Sequence, residues 1–320
     1  MSGGGSGGDG WSGGGSGGGL LVVGDVVTDV VARHRGPLSR GTDTAARIRT
    51  VPGGAGANVA CWAARRGAGG GREVRLLARV GADSAAWHEE RLRRAGVRPL
   101  LVVDERAPTG TVVALVDEED GRAERTFLTD SGAVLRLDPD DWSPALLDGI
   151  SHLHLSGYLL FADSSRETAL LAARAARERG VTVSVDPASA GFIAGWGAGR
   201  FLAAVDGVDV LLPNADEACL LTGAAEPEEA AVELSRRFPL VAVTLGAGGA
   251  LLAADGAVAV RAAAPAVVAV DSTGAGDAFT GGFLAARLAG ADGAGAVAAG
   301  CAAGAEAVGI VGGRPVAREG

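Results

Sequence analysis

The chain reads as an α/β protein: a central, mostly parallel sheet with helices on both faces, joined to a small β-strand lid. Three observations predict this. From Leu20 onward, short β-rich apolar runs alternate with helical stretches, the pattern of βαβ units around a sheet covered on both sides. Two segments, about residues 30–52 and 108–130, interrupt that alternation with strands of half-polar pattern. Over 320 residues the composition is 48% apolar and 21% charged, which suits a globular chain long enough for one large domain or two ordinary ones.

Taken in order, residues 1–19 form a glycine- and serine-rich tail, a near repeat split at Trp11 that predicts flexibility. The G-x-S-x-G at Gly4–Gly8 has neither the strand before it nor the helix after it that a nucleophile elbow needs. The first strand is LLVVGD, Leu20–Asp25. ARIRTV, within Val30–Val51, alternates small or apolar residues with arginines and predicts a strand wet on one face. A helix is expected over Asn58–Arg65, then the strand EVRLLARV, Glu73–Val80. Thr111–Leu128 holds two β-rich runs joined across Asp120-Gly121, a hairpin turn signal. With the ARIRTV strand it predicts a β lid over the ends of the main strands. Further strands follow at Ser151–Ser156, Val181–Asp186, Val208–Pro213 and Leu240–Leu245, and helices at Arg166–Arg179, Asp216–Leu221 and Glu228–Arg237. Residues 20–320 thus read as one domain carrying its lid.

Composition excludes several functions. A net charge of −9 argues against a nucleic-acid partner, which draws on clustered Lys and Arg. All 29 basic residues are arginines. A P-loop, a protein kinase and a pyridoxal enzyme each need a lysine, so none is available in standard form. Cys61, Cys219 and Cys301 are far apart in apolar surroundings and read as buried free thiols. With no leader pattern and no apolar run near 20 residues, no membrane is expected, and a cytoplasmic location follows by default.

The sharpest local signal is VDSTGAGDAFTGGF, Val270–Phe283, where small residues Gly274-Ala275-Gly276 precede a helix beginning near Asp277. Small residues let backbone approach a ligand, and free N–H groups at a helix start attract phosphate. A carboxylate at that lip can take a proton from an attacking hydroxyl; alternatively Asp277 is an ordinary first-turn acid. In VPGGAGANVA, Gly53 and Gly54 permit a tight turn and Asn58 offers donor and acceptor to a polyol. The same stretch brushes a dinucleotide fingerprint, but Pro52 ends the strand and Val59 replaces the third glycine. Asn214 and Glu217 share a helix face, either to organise a hydrated Mg²⁺ or to form a capping box. His152 and His154 lie on one side of a strand and read as core histidines rather than half a metal site. Asp25 and Asp29 follow the first strand, where open α/β sheets bind ligands or cap turns.

Read together and in order, GDVVTD, PGGAGAN, RVGAD, SGY, PNADEA, VTLGAGG and DSTGAGDAF resemble the ribokinase-like, PfkB-type carbohydrate kinases from Leu20 to about Pro315. The resemblance implies transfer of the ATP γ-phosphoryl to a primary alcohol of a sugar or, alternatively, a nucleoside. It implies Asp277 as base and the amides of Gly274, Ala275, Gly276 and Asp277 as anion hole. Asp29, Gly53, Gly54 and Asn58 would bind substrate, and Asn214 and Glu217 would organise Mg²⁺ through water. Thr244, Gly246 and Gly249 would line the nucleotide site, and Asp271 and Thr273 would frame a potassium ion. The lid is the candidate surface for a homodimer. Two departures stand out: Ala55 where many such sequences have lysine, and Ala86-Trp87 after Gly81 and Asp83. Arg125 and Phe127 on the lid hairpin are candidate substrate contacts. Aromatics, 4% of the chain, tilt the acceptor towards a sugar. A silent nucleotide or sugar sensor is the reading from another class, with a dinucleotide oxidoreductase behind it.

Overall fold

In a computed structural model, residues 17–38, 40–67, 70–117 and 124–316 are described, without the side chains of Glu124 and Arg125. The tail before Gly17, the Asp120-Gly121 turn and the Arg125 side chain therefore lie outside the described residues.

The strands are β1 (Gly19–Val23), β2 (Val27–His34), β3 (Ala46–Gly53), β4 (Val74–Gly81), β5 (Arg98–Asp104), β6 (Thr109–Asp117) and β7 (Glu124–Gly132). They continue with β8 (Ile150–Ser156), β9 (Thr182–Asp186), β10 (Val210–Leu211), β11 (Leu240–Thr244), β12 (Ala250–Ala254) and β13 (Ala257–Ala262). The helices are α1 (Ala55–Gly67), α2 (Ala85–Arg94), α3 (Asp163–Glu178), α4 (Ala190–Trp196), α5 (Ala198–Ala204), α6 (Ala215–Thr222), α7 (Pro227–Leu234), α8 (Ala275–Leu288) and α9 (Gly293–Val308).

Among the described residues nine strands form one sheet, ordered β13-β12-β11-β10-β9-β8-β1-β4-β5. Only β12 and β13, at one edge, run antiparallel to their neighbours. Alternation along each strand divides the core. Leu20 and Val22 of β1 join Leu76, Val210 and Ala242 against α1, α2, α8 and α9. Leu21 and Val23 join Leu153, Val183 and Val241 against α3 to α7. Both faces are thus apolar and covered, which a parallel sheet requires.

His152 and His154 occupy the α1 side, in register with Leu20 and Val22. Ser184 Oγ lies 2.8 Å from a ring nitrogen of each, and Thr182 Oγ1 lies 2.7 Å from His152 Nδ1. Burial pushes both rings down to about 3, so they stay neutral and serve the core.

Four strands, β3-β2-β6-β7, form the second sheet. Val27, Asp29 and Val31 of β2, Val112, Ala114 and Val116 of β6, and Phe127, Thr129 and Ser131 of β7 line the same groove. The lid is stitched to the main sheet at RVGAD, where Asp83 Oδ1 accepts from Thr109 N at 2.8 Å and Thr109 Oγ1 accepts from Gly81 N at 2.9 Å. Cys61 and Cys301 are buried free thiols; Cys219, expected to be buried too, is half-exposed because it sits on the outer side of the short helix α6.

Candidate active site

The carboxyl ends of β1, β9 and β11 and the start of α8 open into one groove of about 1230 Å³, roofed on one side by the lid. At its mid-point is the turn before α8. Gly274 adopts φ +73°, and a side chain there would collide with the backbone of Gly313. The helix begins at Ala275, two residues earlier than expected. Its first amides, through Asp277, have no intrahelical carbonyl to meet; the first amide to close a full turn is Ala278 N, onto Gly274 O at 2.8 Å.

Asp277 Oδ2 accepts from Asn58 Nδ2 at 2.8 Å. Burial holds this carboxyl well above the usual range; the nearby Asp186 pushes the same way, while the Asn58 amide opposes it. Asp29 is pushed up to about 7 by burial, relieved by the Arg314 charge. Glu217 reaches about 8 through burial and Asp186, and Asp186 about 6, mainly through burial. Asp277 feels both Asp29 and Asp186, while Glu217 feels Asp186, so a row of acids runs from the lid side to α6 with Asp277 in its interior.

Each predicted residue has a definite place. Asp29, Gly54, Asn214, Glu217, Thr244, Asp271, Thr273, Gly274, Gly276 and Asp277 line the groove. Asn58 does not; its amide nitrogen is turned onto Asp277. Gly53 stands behind Asp29, whose carboxylate any side chain at 53 would strike, and its carbonyl accepts from Arg314 Nη2 at 2.7 Å. Gly246 and Gly249 also fall outside the lining, and Gly249 is needed because a Cβ would run into the backbone of Ala262–Ala264. Asn214 and Glu217 do form the capping box, each side chain accepting the other's backbone N–H at 2.9 Å. Asp25 caps α1: its carboxylate accepts from Ala55 N at 2.7 Å, Gly56 N at 3.0 Å and Ser156 Oγ at 2.7 Å. Ala55, which stands where many similar sequences have lysine, is the first residue of that helix.

The matching family model is the pfkB family carbohydrate kinases, over residues 19–318. The chain belongs to the pfkB family of carbohydrate kinases. A fructokinase from Klebsiella pneumoniae is 32% identical over 279 residues, 83% of each chain. The aminoimidazole riboside kinase of Salmonella typhimurium is 29% identical over 273 residues, 83% of this chain and 79% of that one. A ribokinase structure from Thermotoga maritima superposes with a TM-score of 0.76 at 28% identity, covering 92% of this chain and 94% of that one. As a member of the pfkB family the protein is a kinase of sugars or nucleosides. That retires the sensor and oxidoreductase readings.

Three features of this pfkB site escaped sequence reasoning. Asp186 accepts from Thr280 Oγ1 at 3.2 Å and from Ala188 N at 2.9 Å, placing it within the acid row; it reads in sequence only as the end of a strand. Ala188, a groove residue, takes φ +75°, strained for a residue with a side chain. Tyr158, Phe161, Phe192 and Trp196 form one wall, with ring centroids 5.2 to 5.9 Å apart, and lid residue Phe127 lines the same groove. Composition could not reveal that the few aromatics gather there.

Proposed function

We propose that this kinase moves the γ-phosphoryl of ATP to a primary hydroxyl of a sugar, with Asp277 taking the hydroxyl proton. The amides of Gly274–Asp277 hold the migrating group. The observation that carries this reading is Asp277 itself: a carboxylate with raised proton affinity, oriented by Asn58, in the first turn of a helix whose starting amides meet no intrahelical carbonyl. Raised affinity suits a general base, and helix-start amides suit phosphate oxygens without any lysine. Asp29 accepts acceptor hydroxyls on the lid side. On the other side, Thr244, Asn214 and Glu217 face the nucleotide. Glu217 and Asp186, buried acids of which Asp186 raises Glu217, fit a hydrated divalent cation, which when bound neutralises phosphate charge. The test is Asp277→Asn in a coupled ADP-release assay. Turnover should fall by about 10² or more with nucleotide binding retained; unchanged turnover removes Asp277 from the chemistry.

A second reading has its own support. Phe127, Tyr158, Phe161, Phe192 and Trp196 all line the groove, which cancels the compositional argument against a nucleoside. Phe127 and Phe192 are 52% and 39% exposed, open to a planar group that stacks. A panel of hexoses, sugar acids and nucleosides, ranked by kcat/KM, separates the two. Preference for nucleosides by tenfold or more selects the second.

A further inference from the structure

We infer that Arg33, carried on lid strand β2, is the standing positive charge of the turn before α8, and that this turn needs no monovalent metal ion. Asp271 is 3% exposed. Its Oδ1 accepts from Thr273 N at 2.8 Å, and its Oδ2 accepts from Gly312 N at 3.2 Å. The amides of Val270 and Asp271 both donate to Val308 O, at 2.7 and 3.1 Å. One buried carboxylate therefore joins the Ser272–Gly274 turn to the segment that packs beneath it. Hydrogen bonds from neutral donors leave its net charge in place, and a buried charge needs an opposite one.

Arg33 supplies it: Nη2 lies 3.6 Å from Asp271 Oδ2, with the arginine side chain only 18% exposed. Potassium framed by Asp271 and Thr273 would sit beside this guanidinium, and a single carboxylate cannot neutralise both. The residues present therefore do not fit the metal ion that the family resemblance implied. Position adds a second consequence. Arg33 shares its face of β2 with Val27, Asp29 and Val31, which line the groove, so the charge reaches the turn only when the lid lies over the site. Arg33 is thus a positioning residue that couples lid placement to the order of the anion hole.

The first test needs no substrate: thermal unfolding of the ligand-free protein in potassium, sodium or tetramethylammonium chloride at equal concentration. The native protein should melt at the same temperature in all three. Arg33→Ala should melt roughly 5 °C lower in tetramethylammonium, as for a broken buried pair, and recover in potassium. Specific stabilisation of the native protein by an alkali ion overturns the inference, as does an Arg33→Ala protein indifferent to the salt. Should that variant not fold, Arg33→Met, which keeps the apolar stem, is judged by the same outcomes. The kinetic arm rests on the proposed phosphoryl transfer. There, Arg33→Ala should lose about tenfold or more in kcat with little change in acceptor KM, and potassium should restore most of it; loss without rescue overturns the inference. A native protein inactive on every acceptor counts against the proposed reaction, while melting still decides the role of Arg33.

Discussion

At the scale of single residues, the proposed chemistry depends on how Asp277 is held. Asn58 reaches it from the start of α1, 219 positions away in sequence, and its amide favours the ionised carboxylate while burial and Asp186 disfavour it. Removing that donor leaves the raising influences unopposed. Asn58→Ala should therefore move the acidic limb of the kcat/KM profile to higher pH, as measured by initial rates across a buffered series. A limb that stays in place would mean that the amide packs against the acid without tuning it. Asp29 is a different case, because its partner Arg314 acts through charge rather than contact. Sequence reading identified Asp29 and Asp277 from where they stand relative to a strand and a helix. It could not show that Asn58 faces the acid, since that depends on the packing of α1 on α8.

At the scale of elements, glycine governs how closely the helices approach. A Cβ on Gly281 of α8 would lie 2.6 Å from Val59 O of α1, and one on Gly300 of α9 would lie 2.7 Å from the Phe279 ring. Helices α1, α8 and α9 are therefore packed backbone to backbone, and Trp62 and Phe283 are fully buried near these contacts. Gly281→Ala gains helix propensity but must push α1 away. The expected net loss is about 1–3 kcal/mol, checked by denaturant unfolding; a stabilised variant would show that α1 yields freely. The same packing explains what sequence concealed. GAGAVAAGCAAGAEAV mixes alanine, the best helix former, with glycines and has no polar face to mark it, yet it forms α9 because α8 accepts its small residues. The alternating and apolar strands β1, β4, β8, β9 and β11 were legible because period and burial agree there. Strand β13 alternates exposed and half-exposed positions with none buried, and it pairs because β12 presents an edge to it.

At the scale of the whole molecule, the row of acids makes the ligand-free fold sensitive to pH. Asp29, Asp186 and Glu217 are raised from 3.8, 3.8 and 4.5 to about 7, 6 and 8. The folded state thus binds protons more tightly than the unfolded chain. Its stability is fullest below pH of about 4 as far as these groups are concerned, and declines as pH rises through about 8. The melting temperature should fall across that window, and Mg²⁺ with ATP should reduce the fall by giving the ionised acids a counter-charge. Differential scanning calorimetry with and without nucleotide measures both; equal slopes would place the nucleotide away from the acids. The lid belongs to this scale too. Its stitching at Thr109 and the Arg33–Asp271 pair bind the lid to the main body at separate points.

The stretch Gly312–Arg314 touches the site three ways: Gly312 N on Asp271, Gly313 against Gly274 and Trp62, and Arg314 on the Gly53 carbonyl. All these partners precede it in the chain. During synthesis on the ribosome, then, the proposed catalytic turn has no floor until those contributors emerge, and on that reading a nascent chain that has already folded its sheet would still be inert.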